Sequence, residues 1–293
     1  MQRTFLLLTA ILLLHVNSMA QSFDQLNRLP NDSIKIYYSN HQKERAESIS
    51  IRMANAMAYH HKLLEFKPDV TLLVLTEADW FNYTSFPVYG MPHYNGDKLL
   101  IVAAEDNDFW KSFLPPLHQL PEDLGEQVKK VYSLKDGSIS MEAFFDMLAI
   151  HELGHAFHFQ AKLNMQRKWM GELFCNVFLH SYIAEKEPEL IPALTLFPKM
   201  VISNGTKEYR FTSLKDIEER YEEIGQQHAK NYGWYQCRWH AAAAKIYETS
   251  GKEVIRKIWD ALKEQKQNLE DQKLMELFTT AGAGAVADMM RNW

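Results

Sequence analysis

Leu148-Ala149-Ile150-His151-Glu152-Leu153-Gly154-His155-Ala156-Phe157 (residues 148–157) is the stretch on which the reading of this chain turns. Its neighbours are uncharged, no proline interrupts it, and the apolar pattern runs over about residues 141–163. That pattern predicts a helix, with Ser140 as its N-cap. On a helix, residues four apart share a face and lie about 6 Å apart along the axis. His151 and His155 can therefore reach one ion. Glu152 stands beside them without being needed as a ligand, close enough to take a proton from water polarised by the metal. This is the H-E-x-x-H pattern, and one Zn2+ is the expected cofactor. An accidental match on a surface helix would show charged neighbours, and this one has none.

A hydrolytic zinc site keeps three protein ligands and one open position. His158 is nearest in sequence, but three ligands strung along one helix converge poorly on a tetrahedron. The longer H-E-x-x-H-x-x-G-x-x-H pattern is absent, since its Gly and last His positions hold His158 and Ala161. His158 is expected to pack in the core or to orient a ligand. Glu172 is the expected third ligand. It lies on a second helix predicted over 169–185, after a short connection at 164–168, and it is the only acid in Trp169-Met170-Gly171-Glu172-Leu173-Phe174. A carboxylate in an apolar setting is costly unless its charge is compensated, and a metal does that. Asn176, one turn later, is placed to orient a ligand imidazole.

Outward from these helices, strands are predicted over 33–38, 70–75 and 98–103, the last after the turn Asn95-Gly96-Asp97. A helix is predicted over 41–66, stopped by Pro68, and one or two helical turns over 127–132. From Ser213 onward the chain reads as helical, with breaks near Gly233, Gly251 and Ala281-Gly282. Strands with one helix followed by helices alone predict an α+β fold. The expected division is a signal peptide over 1–20, a zincin-like catalytic domain with a small mixed sheet over 21–205, and a helical C-terminal subdomain over 206–293.

The signal peptide is read from Arg3, an apolar run over 4–16 too short for a membrane span, and the small residues at Ser18 and Ala20. Cleavage after Ala20 would give a secreted or periplasmic chain with no transmembrane segment. The 293 residues carry 32 basic and 37 acidic side chains and no basic stripe, so nucleic acid is not an expected partner. The two cysteines, Cys175 and Cys237, exclude a disulfide-dense scaffold, and one bridge or two free thiols both fit the sequence. The adjacent His60-His61 point different ways on a helix and suit no single metal. Glu218-Glu219 and Glu222-Glu223 read as an exposed helix face.

H-E-x-x-H followed by Glu on the next helix resembles the gluzincin metallopeptidases, the thermolysin-like and aminopeptidase-like enzymes, over roughly residues 89–259. The resemblance implies His151, His155 and Glu172 as zinc ligands and Glu152 as general base. It also implies a tyrosine that opens a downstream helix and donates to the tetrahedral oxyanion. Tyr235 matches that place best, and Tyr232 competes for it. Tyr89-Gly90-Met91-Pro92-His93, ahead of the strand over 98–103, is similar to the Gly-x-Met-Glu-Asn loop on which aminopeptidases lay their substrate. That similarity implies Gly90 and Met91 as substrate-binding residues. The Glu that would bind a free amine is missing, which favours an endopeptidase acting on peptide or protein substrates. The competing expectations are a zinc hydrolase of a non-peptide substrate and a non-catalytic zinc-containing surface or binding protein.

Overall fold

The computed structural model describes residues 22–293 apart from 32, 97 and 115, so the export segment read in 1–20 lies outside the described residues. The strands are β1 (Asn27–Leu29), β2 (Lys35–Tyr38), β3 (Thr71–Leu75), β4 (His93–Tyr94) and β5 (Leu99–Ala103). The first helices are α1 (Lys43–Leu64), α2 (Glu77–Tyr83), α3 (Asp108–Lys111), α4 (Glu122–Tyr132), α5 (Glu142–Gln160) and α6 (Met170–Lys186). They are followed by α7 (Ile191–Ser203), α8 (Leu214–Glu219), α9 (Tyr221–Gln227), α10 (Ala229–Ser250), α11 (Val254–Glu264), α12 (Asp271–Thr280) and α13 (Gly284–Arg291). A small mixed sheet with a largely helical remainder agrees with the α+β expectation.

The sheet order is β1-β2-β3-β5-β4. Strands β2, β3 and β5 run parallel, while β1 and β4 close the two edges antiparallel. Every residue of β3 and β5 is buried, as befits central parallel strands covered on both faces. Helices α1 and α5 pack on this sheet and on each other. Arg45 of α1 locks the arrangement, its guanidinium gripping Asp146 of α5 through two bonds and donating to the Ala104 carbonyl just past β5. Such bidentate pairs fix orientation as well as distance. The helix bearing the two histidines is thus tied to the end of a central strand.

Helices α5 and α6 form the centre of the molecule. Burial on α5 runs all round the helix, and every residue of α6 from Met170 to Ile183 is buried. They cross at Gly154, where a Cβ would come within 3.1 Å of Cys175 Sγ and 3.2 Å of Cys175 Cα. Helix α10 packs against α6, α7 and α13. One apolar cluster runs from Leu26 to Val286, so it continues across the boundary expected at 205–206.

Three local expectations are corrected. The N-cap of α5 is Met141 rather than Ser140, although the Ser140 hydroxyl still accepts the Glu142 N–H at 3.0 Å. Helix α1 ends at Leu64, earlier than Pro68 requires, because Glu65 adopts left-handed geometry at φ 53°. No break occurs at Gly233, which lies inside α10. A lone glycine weakens a helix without stopping it, and the surrounding aromatic packing carries the chain through. Cys175 and Cys237 are both buried free thiols. Among the described residues no helix is long and apolar enough to cross a membrane.

Substituting Gly154→Ala would push α5 and α6 apart against backbone that cannot swing away. We expect a loss of about 1–3 kcal/mol in chemical denaturation, as for other overpacked cores. An unchanged midpoint would show that the crossing has slack.

Candidate metal centre

Helix α5 presents His151 and His155 toward α6, and α6 presents Glu172 back from its first turn. His151 Nε2 lies 3.2 Å from Glu172 Oε2, and His155 Nε2 lies 3.7 Å from Glu172 Oε1. The two imidazoles and the carboxylate expected from sequence as ligands are therefore brought together. A fourth group joins them, because one ligand atom each from His151, His155 and Cys175 lie within 4.8 Å of one another. Those three residues, His151 and Cys175 buried and His155 half-buried, could hold a metal ion.

One of the two imidazoles is aimed by its other nitrogen. His155 Nδ1 is 2.9 Å from His158 Nε2, which leaves Nε2 free to face Glu172. Burial holds His158 neutral, pulling its pKa down to about 3, so one of these two facing nitrogens carries the shared proton according to the tautomer. His158 thus orients a ligand, a role open to it from sequence. His151 Nδ1 and Asn176 Oδ1 are both buried without a partner at good hydrogen-bond geometry. Asn176 nonetheless raises the affinity of His151 for its proton, and its own Nδ2 donates to the Glu172 carbonyl at 2.9 Å. It stands where a ligand-orienting residue should.

The electrostatics centre on Glu172. Burial alone would push its carboxyl up, but His155, His151 and Gln236 outweigh burial and hold it well below the usual carboxylate range. Tyr221 OH donates to Oε1 and Gln236 Nε2 to Oε2, each at 2.8 Å. Gln236 also donates to Tyr232 OH at 2.9 Å, and the Tyr221 and Tyr232 hydroxyls meet at 3.2 Å. Burial, then the charge of Glu172, drives the Tyr232 hydroxyl far up, so it remains a proton donor. His155 is lowered to about 4 by burial, with Glu172 opposing. His151 is raised despite burial, through its bond to Glu172. The Cys175 thiol is pushed well up by burial and by the neighbouring carboxylates.

Glu152 is set apart from this cluster. Its side chain is half-buried and accepts the Tyr94 N–H of β4 at 2.8 Å. Burial raises its pKa to about 7, with His151 opposing. A carboxylate of that basicity beside a metal-binding group has the properties of a general base.

Tyr235 is not brought to the cluster. Its ring is buried against Trp239 and Trp293, and its hydroxyl donates to the Ser213 carbonyl at 2.8 Å. The helix runs through Gly233, so Tyr235 falls on the core face while Tyr232 and Gln236, one turn apart, face Glu172. Gly90 sits at φ 98° with its carbonyl accepting the Trp110 indole at 2.6 Å, and any Cβ there would strike Asn107. Met91 is half-exposed two residues before β4, and its carbonyl bonds His93 Nδ1 at 3.0 Å.

Sequence reasoning missed Gln236 and Tyr221. Gln236 has a signal, being four residues after Tyr232, but only once the helix is extended through Gly233. Tyr221 sits in an acidic run that reads as an exposed face. Part of that run instead grips the α5–α6 connection, with Glu218 accepting the Lys168 N–H at 2.8 Å and Glu222 pairing with Lys168 Nζ at 2.9 Å. A cleft of about 960 Å³ lies between α1 and the ends of α6 and α11 and holds none of the metal-centre side chains. The chain matches no protein-family model, no curated protein and no solved structure.

If the cluster holds a metal ion, removing the Tyr221 hydroxyl by Tyr221→Phe should weaken metal binding roughly tenfold or more, as loss of ligand-orienting partners does elsewhere. Competition with a chromogenic chelator measures it. Equal affinity in the variant would mean that the bond to Glu172 is incidental.

Proposed function

We propose that this chain is a zinc-dependent hydrolase of peptide bonds, resembling the gluzincins, with a zincin-like arrangement of helices and edge strand. The observation that carries the reading is geometric. Two imidazoles on α5 and a carboxylate on α6 lie against one another, while a further carboxylate, Glu152, is next to His151 in the chain and is held by the edge strand. The donor set fits zinc, for the buried Glu172 charge is compensated only by neutral hydrogen-bond donors and by imidazoles that a metal would use. His151, His155 and Glu172 would hold the ion. When bound, zinc supplies Lewis acidity, polarising a carbonyl and lowering the pKa of water at its open position.

The chain's own residues do the rest. Glu152 accepts the proton of the attacking water and passes it to the leaving nitrogen. Tyr232, kept protonated, is the hydroxyl available to donate toward developing negative charge, the part that the resemblance assigns to a tyrosine, while the Tyr221 proton is committed to Glu172. Tyr232 takes the place expected of Tyr235. Strand β4 is the sheet edge, and its Tyr94 N–H touches the base, so an extended peptide laid along that edge would pass Glu152 directly. This favours peptide over other carbonyl substrates. With Pro92 or His93 standing where an amine-binding Glu would be, and with His93 held by Thr84 at 2.7 Å, cleavage within chains is favoured over removal of N-terminal residues.

One observation favours a second reading, in which the site is non-catalytic. If Cys175 joined the two histidines and Glu172, zinc would be four-coordinate and closed, as in structural sites. Cobalt substitution separates the two. The catalytic reading expects no thiolate charge-transfer band and a spectrum unchanged by Cys175→Ser. A strong band lost in that variant would favour the closed site.

Glu152→Gln should keep zinc at wild-type affinity and lose roughly 100- to 10,000-fold in turnover of an unbiased peptide library. Cleavage that survives the substitution would remove Glu152 from the role of base.

A further inference from the structure

The α5 face that carries His151 and His155 continues one turn further to Phe159, since the three stand four residues apart. Among the described residues the exposed large apolar side chains are Ile51, Phe81, Leu134 and Phe159. Exposure of one apolar residue says little by itself. Phe159 differs in what its ring touches. It stacks on the His155 imidazole with centroids 6.0 Å apart and planes 28° apart, and on Tyr94 at 6.3 Å and 22°. It remains 59% exposed nonetheless.

Tyr94 is fixed at both ends. Its N–H is held by Glu152, and its hydroxyl accepts Gln160 Nε2 at 3.0 Å. Gln160 is itself clamped to the Asp69 main chain, donating to its carbonyl and accepting its N–H, both at 2.8 Å. The Tyr94 ring is therefore held in place, and the Phe159 ring lies against it and the His155 imidazole with much of its surface open. The ordering cost is met before anything binds.

We propose that Phe159 and Tyr94 form a specificity subsite for an aromatic or large apolar side chain of the residue next to the cleaved bond. The proposal rests on the hydrolase reading above and deepens it by naming the substrate class. A flat ring packed on the exposed surface of Phe159 would cover apolar area now left in water and add an aromatic pair.

The test uses two hydroxamates that share a metal-binding head, acetohydroxamate and 3-phenylpropanohydroxamate. Their binding to the full zinc-loaded chain is measured by calorimetry, which needs no turnover. The phenyl compound should bind wild type roughly tenfold or more tighter. The gain should vanish in Phe159→Ala and shrink in Tyr94→Leu, with zinc content equal in all three. Equal binding of the two compounds to wild type, or a gain that survives both substitutions, overturns the subsite. So does a dimer that Phe159→Ala converts to monomer in sedimentation, because the ring would then be a self-association contact. A phenyl gain in a protein that cleaves no peptide keeps the subsite and removes the proposed reaction. Failure of both hydroxamates to bind removes both.

Discussion

The site depends on one buried negative charge. Glu172 lies in the interior between two helices, where an uncompensated carboxylate would cost several kcal/mol. It stays ionised because two imidazoles, one tyrosine hydroxyl and one amide are arranged around it. The donors come from three parts of the chain: the histidines from α5, Tyr221 from α9 and Gln236 from α10. The C-terminal helices thus complete the surroundings of the metal centre.

That charge can be approached so closely because α5 and α6 nearly touch. Gly154, inside the H-E-x-x-H pattern, has no side chain at the crossing, and Cys175 fills the space against it. The glycine is a packing requirement embedded in a chemical motif. Arg45 gripping Asp146 then fixes the rotation of α5 against the sheet, and the sheet edge at Tyr94 reaches Glu152. Glu152, the two histidines, Glu172 and the edge strand are held in a single frame, the preorganisation that the proposed reaction would use.

The convergence of the two histidines was legible in the sequence because helical spacing alone determines it. Glu172 was legible because an isolated acid in an apolar helix calls for a partner. The central strands β3 and β5 were legible as compact apolar runs, whereas β4 is two residues long and carries no pattern of its own. The failure at Tyr235 traces to Gly233. Read as a break, it made Tyr235 open a helix; once the helix runs through, the tyrosine turns into the core. The hydrogen bonds of Tyr221 and Gln236 to Glu172 depend on how α9 and α10 fold back over α6, which no local spacing encodes.

The central claim is that His151, His155 and Glu172 hold one zinc. Crystals of the full chain grown with zinc, measured on both sides of the zinc absorption edge, test it most directly. The account predicts a single anomalous peak bounded by His151 Nε2, His155 Nε2 and the Glu172 carboxylate, with Glu152 outside the coordination. No peak between the two histidines, or a Glu172 carboxylate turned away from the ion, would contradict it.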